Sequence, residues 1–414
     1  MLRILLVSLA LAAALDAQPA YDLLLKGGHV IDPKNHVSKV LDVAIADGKI
    51  ARVAPNIPAA QAKRSVDAAG LYVTPGLLDI HVHVYMRPAA GSSEGNFSVP
   101  ADAFSFRSGV TTMVDAGTAG WREVDQFRRD VVKASRTRVL AFLNIVGAGM
   151  GSGKENDPAE MDPEGAARAA RDNRDVVVGF KSAHYDGPGW PSIENAVKAG
   201  KLAEMPVMVD FGRINEERNI NALLLDKLRP GDIYTHCYSG RRRELQGDGK
   251  INPAMYAGRK RGIIFDIGHG SGSFYWYVAI PAYQQGFRPD SISTDLHTGS
   301  MNGGMKDMAN TMAKILALGS PLDEVIRMST WAPAQEIRHP ELGNLDVGSD
   351  ADVAVLRVDQ GRFGYLDSAL ARQPGTKAIT CELTLRHGQV VWDLNGRAAN
   401  DWHNDPEEKK GWAK

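Results

Sequence analysis

Short apolar runs alternate with amphipathic stretches through the middle of the chain. Eight apolar runs end in polar or glycine residues, and they lie at positions 77–84, 110–115, 139–146, 176–181, 206–211, 232–237, 263–268 and 291–295. Helical stretches between them include 121–134, 194–204 and 305–318. Apolar strands that alternate with helices predict a parallel sheet whose outer face is covered by the helices. Eight such units predict an α/β fold built on a (β/α)8 TIM barrel. An open doubly wound sheet is the alternative, but no glycine-rich phosphate loop follows the first strand.

The segments before and after this region carry short strands and tight turns instead. Asp47-Gly48 lies between two apolar runs and predicts a β-hairpin. Later strand signals lie at 353–356, 379–386 and 389–392, with His387-Gly388 as the turn between the last two. We expect residues 18–72 and 343–400 to pair into one small β-sandwich domain, which brings the two ends of the chain together. The barrel then spans 73–342, and residues 401–414 form a polar C-terminal tail.

Composition and charge narrow the class of protein further. The chain has 414 residues, of which 44% are hydrophobic, and its formal net charge is -1. That length is sufficient for a barrel and a smaller domain. A near-neutral charge without long basic runs argues against nucleic acid as a partner. With only Cys237 and Cys381 present, we expect free thiols rather than a disulfide framework.

The first 17 residues are typical of an export signal. Arg3 supplies the positive start, residues 4–15 the apolar core, and residues 15–17 a cleavage site before Gln18. The apolar run is too short for a permanent transmembrane helix. A buried N-terminal strand or helix is the alternative. We therefore expect a periplasmic or secreted protein, without stable membrane insertion once the signal is removed.

The first apolar run ends in His81-Val82-His83. Alternate side chains of a β-strand point to the same face, so the two imidazoles leave the strand together. Two neighbouring imidazoles can hold a divalent metal from one short segment. The alternative is a pair of surface histidines on a half-buried strand.

Further side chains of metal-ligand type follow the other predicted strands. Lys181 ends the fourth apolar run, and the later runs end in or are followed by Asp210, His236, His269 and Asp295. The C-terminal ends of barrel strands share one rim. The sequence therefore predicts that these side chains converge on the site of His81 and His83.

With this set of strand-end residues the chain resembles the amidohydrolase superfamily of metal-dependent hydrolases. Within the superfamily, residues 235–237, 265–270 and 293–297 are similar to the amidohydrolase/deacetylase metallohydrolases. The resemblance extends from residue 22 to the region of residue 385. It implies one or two divalent metals, with zinc as the expected ion, held by His81, His83, Lys181, His236 and Asp295.

Lys181 and Asp210 differ in chemistry from the other candidate ligands. A protonated lysine has no lone pair for a metal, so the resemblance implies that Lys181 is carboxylated and bridges two metals. The alternative is a lysine whose stem packs on the barrel and whose ammonium pairs with Asp210 or Asp295. Asp210 departs from the superfamily, which usually places a histidine at the end of the fifth strand. A carboxylate can also bind zinc, so we expect Asp210 to be a ligand, and a hydrogen bond to a water or a neighbouring ligand is the alternative.

These residues predict hydrolysis of an acyl bond by a metal-activated hydroxide. Asp295 is expected to be both a ligand and the proton shuttle. His269 is the second predicted catalytic residue, which orients the substrate or polarises its carbonyl. The alternatives are a helix N-cap for Asp295 and a packed loop histidine for His269.

The expected function is that of a deacetylase or deacylase, which acts on the amide or ester bond of a small N-acyl or O-acyl compound. The alternatives are a cyclic-amide hydrolase similar to dihydroorotase and a non-catalytic barrel that binds metal or a small molecule. A substrate carboxylate would require a guanidinium, for which the candidates are Arg87, Arg107, Arg213 and Arg241. The loop 89–95 is a candidate mobile cover. The sequence leaves a homo-oligomer open.

Overall fold

The structure is a computed structural model that describes residues 20–86, 97–212 and 214–404. The predicted signal segment, the candidate cover at 89–95, Arg87 and Arg213 lie outside the described residues, as does the tail beyond residue 404.

Within the described residues the chain forms β-strands and α-helices of very different lengths. The strands are β1 (Tyr21–Asp32), β2 (Val37–Ala46), β3 (Lys49–Ala54), β4 (Ala62–Asp67), β5 (Tyr72–Pro75), β6 (Leu77–Val82), β7 (Val110–Gly120), β8 (Arg138–Asn144), β9 (Val177–Ser182), β10 (Val207–Val209), β11 (Ile233–Tyr234), β12 (Ile264–Phe265), β13 (Val353–Leu366), β14 (Arg372–Arg386) and β15 (Gln389–Asp393). The helices are α1 (Val124–Phe127), α2 (Pro163–Asp172), α3 (Pro191–Ala203), α4 (Ile220–Ala222), α5 (Pro253–Lys260), α6 (Trp276–Gln284), α7 (Thr298–Met301), α8 (Met308–Ala317), α9 (Leu322–Ser329) and α10 (Trp331–Glu336).

The larger unit is a curled, parallel sheet with the strand order β6-β7-β8-β9-β10-β11-β12. Each strand pairs in parallel with its neighbour in the sequence, and helices connect most of them. Every residue of β6, β7 and β9 is buried, as expected for strands that are covered on both faces. The parallel α/β sheet and its first seven strands therefore confirm the sequence prediction at this level.

The eighth apolar run does not form a strand. Residues 291–296 are joined to the two edges of the sheet by isolated bridges, Asp266 with Ser291 and Val82 with Leu296. The side chains of Ser291 and Ser293 bond the buried carboxylate of Asp266, and Asp295 has a positive φ of 49°, which interrupts an extended backbone. The sheet therefore has seven strands where the sequence predicted eight, and it is not closed as a continuous ladder.

The smaller unit is a second sheet, with the strand order β15-β14-β13-β5-β1-β2-β3 and with β4 paired to β1. Most pairs are antiparallel, whereas β4 and β5 run parallel to β1. The strands before and after the large sheet share this one sheet because β13 pairs with β5. Both predicted turns are present, and Asp47-Gly48 and His387-Gly388 have the positive φ angles that two-residue hairpin loops require.

The positions of the helices agree with the sequence prediction better than their lengths do. The expected helix at 121–134 is a short α1 followed by a π-helical turn at Arg128–Val132, whereas α3 and α8 lie within two or three residues of their expected starts and ends. Their apolar faces join the strands in one large core, and the smaller sheet has a core of its own. Among the described residues, no helix has both the length and the hydrophobicity that crossing a bilayer requires.

Candidate active site

A cavity of about 860 Å³ opens at the C-terminal ends of the parallel strands. Five of the predicted site residues line it, namely His81, His83, Asp210, His236 and Asp295. Its other charged and ring-bearing walls include Glu155, His184, Arg241, Arg242 and His297. The convergence predicted from the strand ends is thus present in the fold, apart from Lys181 and His269, which do not line the cavity.

His81, His83 and Asp295 form a compact group at the bottom of this cavity. One possible ligand atom from each residue lies within 4.8 Å of the other two. Asp295 Oδ1 lies 3.0 Å from Nε2 of His83 and 3.7 Å from Nε2 of His81. All three side chains are buried or nearly so. These distances are short enough for one ion to contact all three atoms.

A threonine hydroxyl lies against Nδ1 of each histidine. Thr235 donates its hydroxyl proton to Oδ2 of Asp266 at 2.7 Å, so its oxygen accepts from Nδ1 of His81 at 2.9 Å. With the proton on Nδ1, Nε2 of His81 turns a lone pair towards Asp295. Nδ1 of His83 lies 2.8 Å from the hydroxyl of Thr118, and with its proton on Nδ1 this ring also presents a lone pair at Nε2.

The electrostatics of this group favour a cation. Burial, with the positive charge of Lys181, lowers the pKa of His81 to about 3, so its imidazole is neutral at ordinary pH. Burial raises the pKa of Asp295, but positive charge on His81 and His83 outweighs burial and holds that pKa below its usual value, so a cation beside this carboxylate stabilises its ionised form. With both imidazoles neutral, two nitrogen lone pairs and a carboxylate oxygen face one another. This donor set fits a divalent metal ion, for which histidine and carboxylate are common ligands.

Lys181 lies beside His81 in a fully buried position. Its Nζ is 3.0 Å from Nε2 of His81 and 3.5 Å from Sδ of Met208. Burial lowers the pKa of Lys181 to about 8, although Asp210 and Asp295 act in the opposite direction. In the described part of the chain it forms no ion pair with a carboxylate, so the alternative pairing with Asp210 or Asp295 is not formed.

Asp210 and His236 form a second group next to the first. Asp210 Oδ2 lies 3.2 Å from Nε2 of His236 and 3.2 Å from Nε2 of His184, while Oδ1 accepts a hydrogen bond from Nη2 of Arg242. Burial would raise the pKa of Asp210, but His236 and Arg242 hold it well below its usual value. His236 is fixed from the other side, because its Nδ1 lies 2.6 Å from the carbonyl oxygen of Gly268.

His269 lies outside the cavity wall and is fully buried. Its Nδ1 lies 2.9 Å from the carbonyl oxygen of Gly270, and its Nε2 lies 2.6 Å from Nζ of Lys314. The ring also stacks on Phe274 with 4.7 Å between the ring centres. Both ring nitrogens are therefore occupied, and a contact of His269 with substrate stays a prediction.

Sequence reasoning missed Arg242, and it placed His184 near the rim with no role beyond a possible hydrogen bond to a neighbouring residue. Both lie in loops just after strands, where no periodic pattern marks a residue as inward-facing. Their signal was their position, since His184 follows β9 by two residues and Arg242 lies in the basic loop that follows His236. Of the other candidates, Arg107 lies over the ring of Phe104, 4.8 Å from its centre, and is not part of the cavity wall.

The two cysteines are free and buried. Burial raises the pKa of the Cys237 thiol well above its usual value, so the thiol stays protonated. The predicted absence of a disulfide is confirmed.

Comparison with known proteins gives a consistent family. No protein-family model matches the chain. A deacetylase of Agrobacterium fabrum is 34% identical over 332 residues, which are 78% of this chain and 79% of that protein. A deacetylase of Enterococcus faecalis is 30% identical over 380 residues, which are 89% of this chain and 99% of that protein.

Solved structures agree with these relatives. The structure of an adenine deaminase superposes with a TM-score of 0.81 at 29% identity, over 90% of this chain and 100% of that chain. The structure of a dihydroorotase gives a TM-score of 0.76 at 28% identity, over 90% of this chain and 99% of that chain. Together with the two deacetylases, which match over most of their length, these structures show that the chain belongs to the amidohydrolase superfamily of metallohydrolases, which act on carbon–nitrogen bonds.

Proposed function

We propose that this protein is a metal-dependent deacetylase that removes the acyl group from a small N-acyl or O-acyl compound. The observation that carries the proposal is the group of His81, His83 and Asp295, whose two lone pairs and carboxylate face one another at the bottom of the cavity. The two relatives that match over most of their length are both named deacetylases.

Each residue of this group has a separate task in the reaction. A divalent metal, zinc in our proposal, would acidify a water and polarise the acyl carbonyl. His81 and His83 would hold it through Nε2, and Thr235 keeps the ring of His81 in the tautomer that leaves this atom free. Asp295 stays ionised, so it can take the proton of the attacking water and pass it to the departing amine or alkoxide.

We also propose that Lys181 is carboxylated. The neutral amine attacks carbon dioxide, a nitrogen–carbon bond forms, and one proton is released to solvent. Complete burial without a carboxylate partner in the described chain disfavours the ammonium form, and the product would be an anion suited to a metal. Intact-mass measurement of the fresh protein, with a crystallographic density map at Lys181, tests this step.

The substrate itself is proposed to carry a carboxylate near the acyl bond. Arg241 is the one of the four candidate arginines that lies within the described chain and lines the cavity. Arg241→Met is expected to raise KM for N-acetyl amino acids and to leave KM for neutral acetamides unchanged. Equal effects on both substrates would contradict this role.

We infer two further properties of the chain. The first is that residues 291–296 close the large sheet into a barrel, with a β-sandwich beside it. This segment accepts hydrogen bonds from both edges of the sheet, from His83 N to Leu296 O at 2.9 Å and from His269 N to Ser293 O at 3.2 Å. The protein is exported to the periplasm or secreted, on the basis of the signal at residues 1–17. Mass spectrometry of the mature N-terminus in the native host tests export, and light scattering measures whether it is a homo-oligomer.

The function is tested with a turnover panel on zinc-loaded protein. The panel contains N-acetyl amino acids, O-acetyl hydroxy acids and dihydroorotate, each measured with wild type and with Asp295→Asn. We expect turnover of the acetylated compounds, and a decrease in kcat of about 10²- to 10⁴-fold in Asp295→Asn, the range for loss of a general acid–base group. Turnover of dihydroorotate alone would favour a cyclic-amide hydrolase, and metal binding without any turnover would favour a non-catalytic barrel.

A further inference from the structure

Asp210 stands where the superfamily usually has a ligand histidine, and both of its oxygens are already engaged. Oδ1 accepts a hydrogen bond from Nη2 of Arg242. Oδ2 faces Nε2 of His236 and Nε2 of His184, each at 3.2 Å. The carboxylate is only 8% exposed. A metal ion at this position would therefore have to compete with the guanidinium of Arg242 for the same carboxylate.

Arg242 is held in place by a buried network. Its backbone N–H donates to Oε2 of Glu244 at 3.1 Å, and its Nη1 lies 3.4 Å from Oγ of Ser239. Glu244 is fully buried and accepts further hydrogen bonds from Tyr234 at 3.0 Å and from Ser239 at 2.7 Å. A buried network of this kind is rigid, because a member that moved would leave its hydrogen-bond partners unpaired. The guanidinium is therefore a fixed part of the site.

The chemistry of a guanidinium excludes it as a ligand. It has no lone pair and stays protonated in proteins. A second divalent ion held by Asp210 and His236 would lie beside this fixed positive charge, in a buried place where like charges repel strongly. The donor set at Asp210 and His236 therefore does not fit a second metal, in contrast to that at His81, His83 and Asp295.

Arg242 also has a spare hydrogen-bond donor. Its Nε–H is buried and has no partner among the described residues.

We propose that the site binds one divalent metal per chain, at His81, His83 and Asp295, and that the Arg242–Asp210 pair replaces the second metal. Arg242 supplies the second positive charge of the site. Asp210 pairs with Arg242 and contacts His236, so neither Asp210 nor His236 is a metal ligand. The proposal rests on the metal centre of the proposed function and adds the number of ions and the residue that sets it.

The first test is a titration of the metal-free wild-type protein with Co²⁺ in bicarbonate buffer. The visible absorption of bound cobalt and the metal content after gel filtration both give the number of ions per chain. We expect saturation at one ion per chain. Saturation at two ions with intact deacetylase turnover would overturn this proposal and leave the proposed function standing, whereas no bound ion would overturn the metal centre itself.

The second test changes the residue that excludes the second ion. The double variant Asp210→His, Arg242→Met removes the guanidinium and restores the superfamily histidine, so we expect it to bind two ions. Arg241→Met is the matched control from the same loop and should still bind one. A double variant that is folded by circular dichroism and saturates at one ion would overturn the role of Arg242.

A milder variant keeps the proposal testable if the double variant does not fold. Asp210→Asn retains the shape of the side chain and a hydrogen-bond acceptor for Arg242. We expect it to bind one Co²⁺ with an affinity within a few-fold of wild type, because Asp210 is not a ligand. His83→Asn, which removes a ligand, is measured beside it, and an equal loss of the ion in both variants would overturn the proposal.

Discussion

The hydroxyl of Thr235 decides which ring nitrogen of His81 faces the metal position. This hydroxyl donates a hydrogen bond to Asp266 and so acts only as an acceptor towards His81. Without that acceptor, the neutral imidazole of His81 could carry its proton on either nitrogen. A proton on Nε2 would remove the lone pair that faces the metal position. The orientation of the ligand is thus fixed one contact away from the ligand itself.

Thr235→Val is expected to weaken metal binding by about 10- to 100-fold, the usual cost of losing such a partner. The valine keeps the shape of the side chain but cannot accept a hydrogen bond from Nδ1 of His81. Thr235→Ser retains the hydroxyl and is the matched control, with near wild-type affinity. Zinc affinity is measured by competition with a chelator, and equal affinities of the two variants would contradict the role of the hydroxyl.

Lys314 is a second residue whose setting has a measurable consequence. The side chain is fully buried and donates hydrogen bonds to Gly304 O and to His269 Nε2, each at 2.6 Å. Burial, with the nearby charge of Lys306, lowers the pKa of Lys314 from 10.5 to about 7. Between these two pH values the unfolded chain binds a proton that the folded chain does not bind.

The free energy of unfolding should therefore rise with pH between about 7 and 10.5 through Lys314, by at most about 1.4 kcal/mol per pH unit. Lys314→Met removes the titrating group and should have a smaller slope over this range. Lys260→Met, at an exposed lysine, is the control and should keep the wild-type slope. Urea unfolding of metal-free protein at several pH values measures it, and identical slopes for wild type and Lys314→Met would refute the assignment.

At the scale of elements, the site could be predicted where the chain is regular and not where it is irregular. His81, His83, Asp210 and His236 could be placed because strand periodicity and shared strand ends fix their positions. Asp295 could also be placed at the rim, although its segment is not a strand. Residues 291–296 still bridge the two edges of the sheet, at Asp266 and at Val82, as an eighth strand would. Arg242 could not be placed, and His184 could be placed near the rim but not given its contact with Asp210, because loop conformation depends on long-range contacts that no local pattern records.

The same distinction holds for the fold. Seven strands could be predicted because their apolar runs are bounded by polar or glycine residues. The eighth run, Ser291 to Asp295, has Ile292 as its one apolar residue, and its hydroxyls bond buried carboxylates across the sheet, as Thr294 does with Asp79. Whether this run forms a strand therefore depends on a residue far away in the chain, since Asp79 and Thr294 are 215 positions apart.

Gly117 of β7 leaves room for the side chain of Lys181. Gly117 has a φ of 85°, and a Cβ at this position would lie 2.7 Å from Cβ and Cγ of Lys181. Gly231 also has a positive φ, 87°, but an added Cβ there would meet no atom of the described chain within 4 Å. The two glycines therefore separate the cost of the backbone conformation from the cost of crowding the lysine.

Gly231→Ala is expected to cost about 1–2 kcal/mol of unfolding free energy, from the left-handed backbone alone. Gly117→Ala should cost clearly more, because the methyl group forces Lys181 away from its place beside His81. Urea unfolding compares the two variants, and zinc content of Gly117→Ala should fall while that of Gly231→Ala is unchanged. Equal destabilisation and equal zinc content would show that β7 does not position Lys181.

At the scale of the whole molecule, the two sheets meet at the N-terminal ends of the parallel strands, opposite the cavity. Only Gly76 separates β5 of the small sheet from β6 of the large one, and its N–H donates to the carbonyl oxygen of Asp352 at 2.8 Å. Arg138, the first residue of β8, contacts Asp350 at 2.7 Å and Asp352 at 2.5 Å. Asp352 also accepts from Arg386 of β14 at 3.1 Å. This half-buried charge network connects strands of both sheets.

Arg138→Met is expected to lower the free energy of unfolding by about 1–3 kcal/mol, because it removes two charge-assisted hydrogen bonds and leaves two carboxylates less well paired. The matched control is Arg128→Met, which removes a similar two-bond pair with Asp175 from the surface of the large unit. Asp175 is 67% exposed, so that pair should contribute no more than about 1 kcal/mol. Zinc content should be unchanged in both variants, since the ligands lie at the opposite ends of the strands. Urea unfolding followed by tryptophan fluorescence gives the two costs, and an Arg138 variant no less stable than the Arg128 control would mean that this network does not couple the sheets.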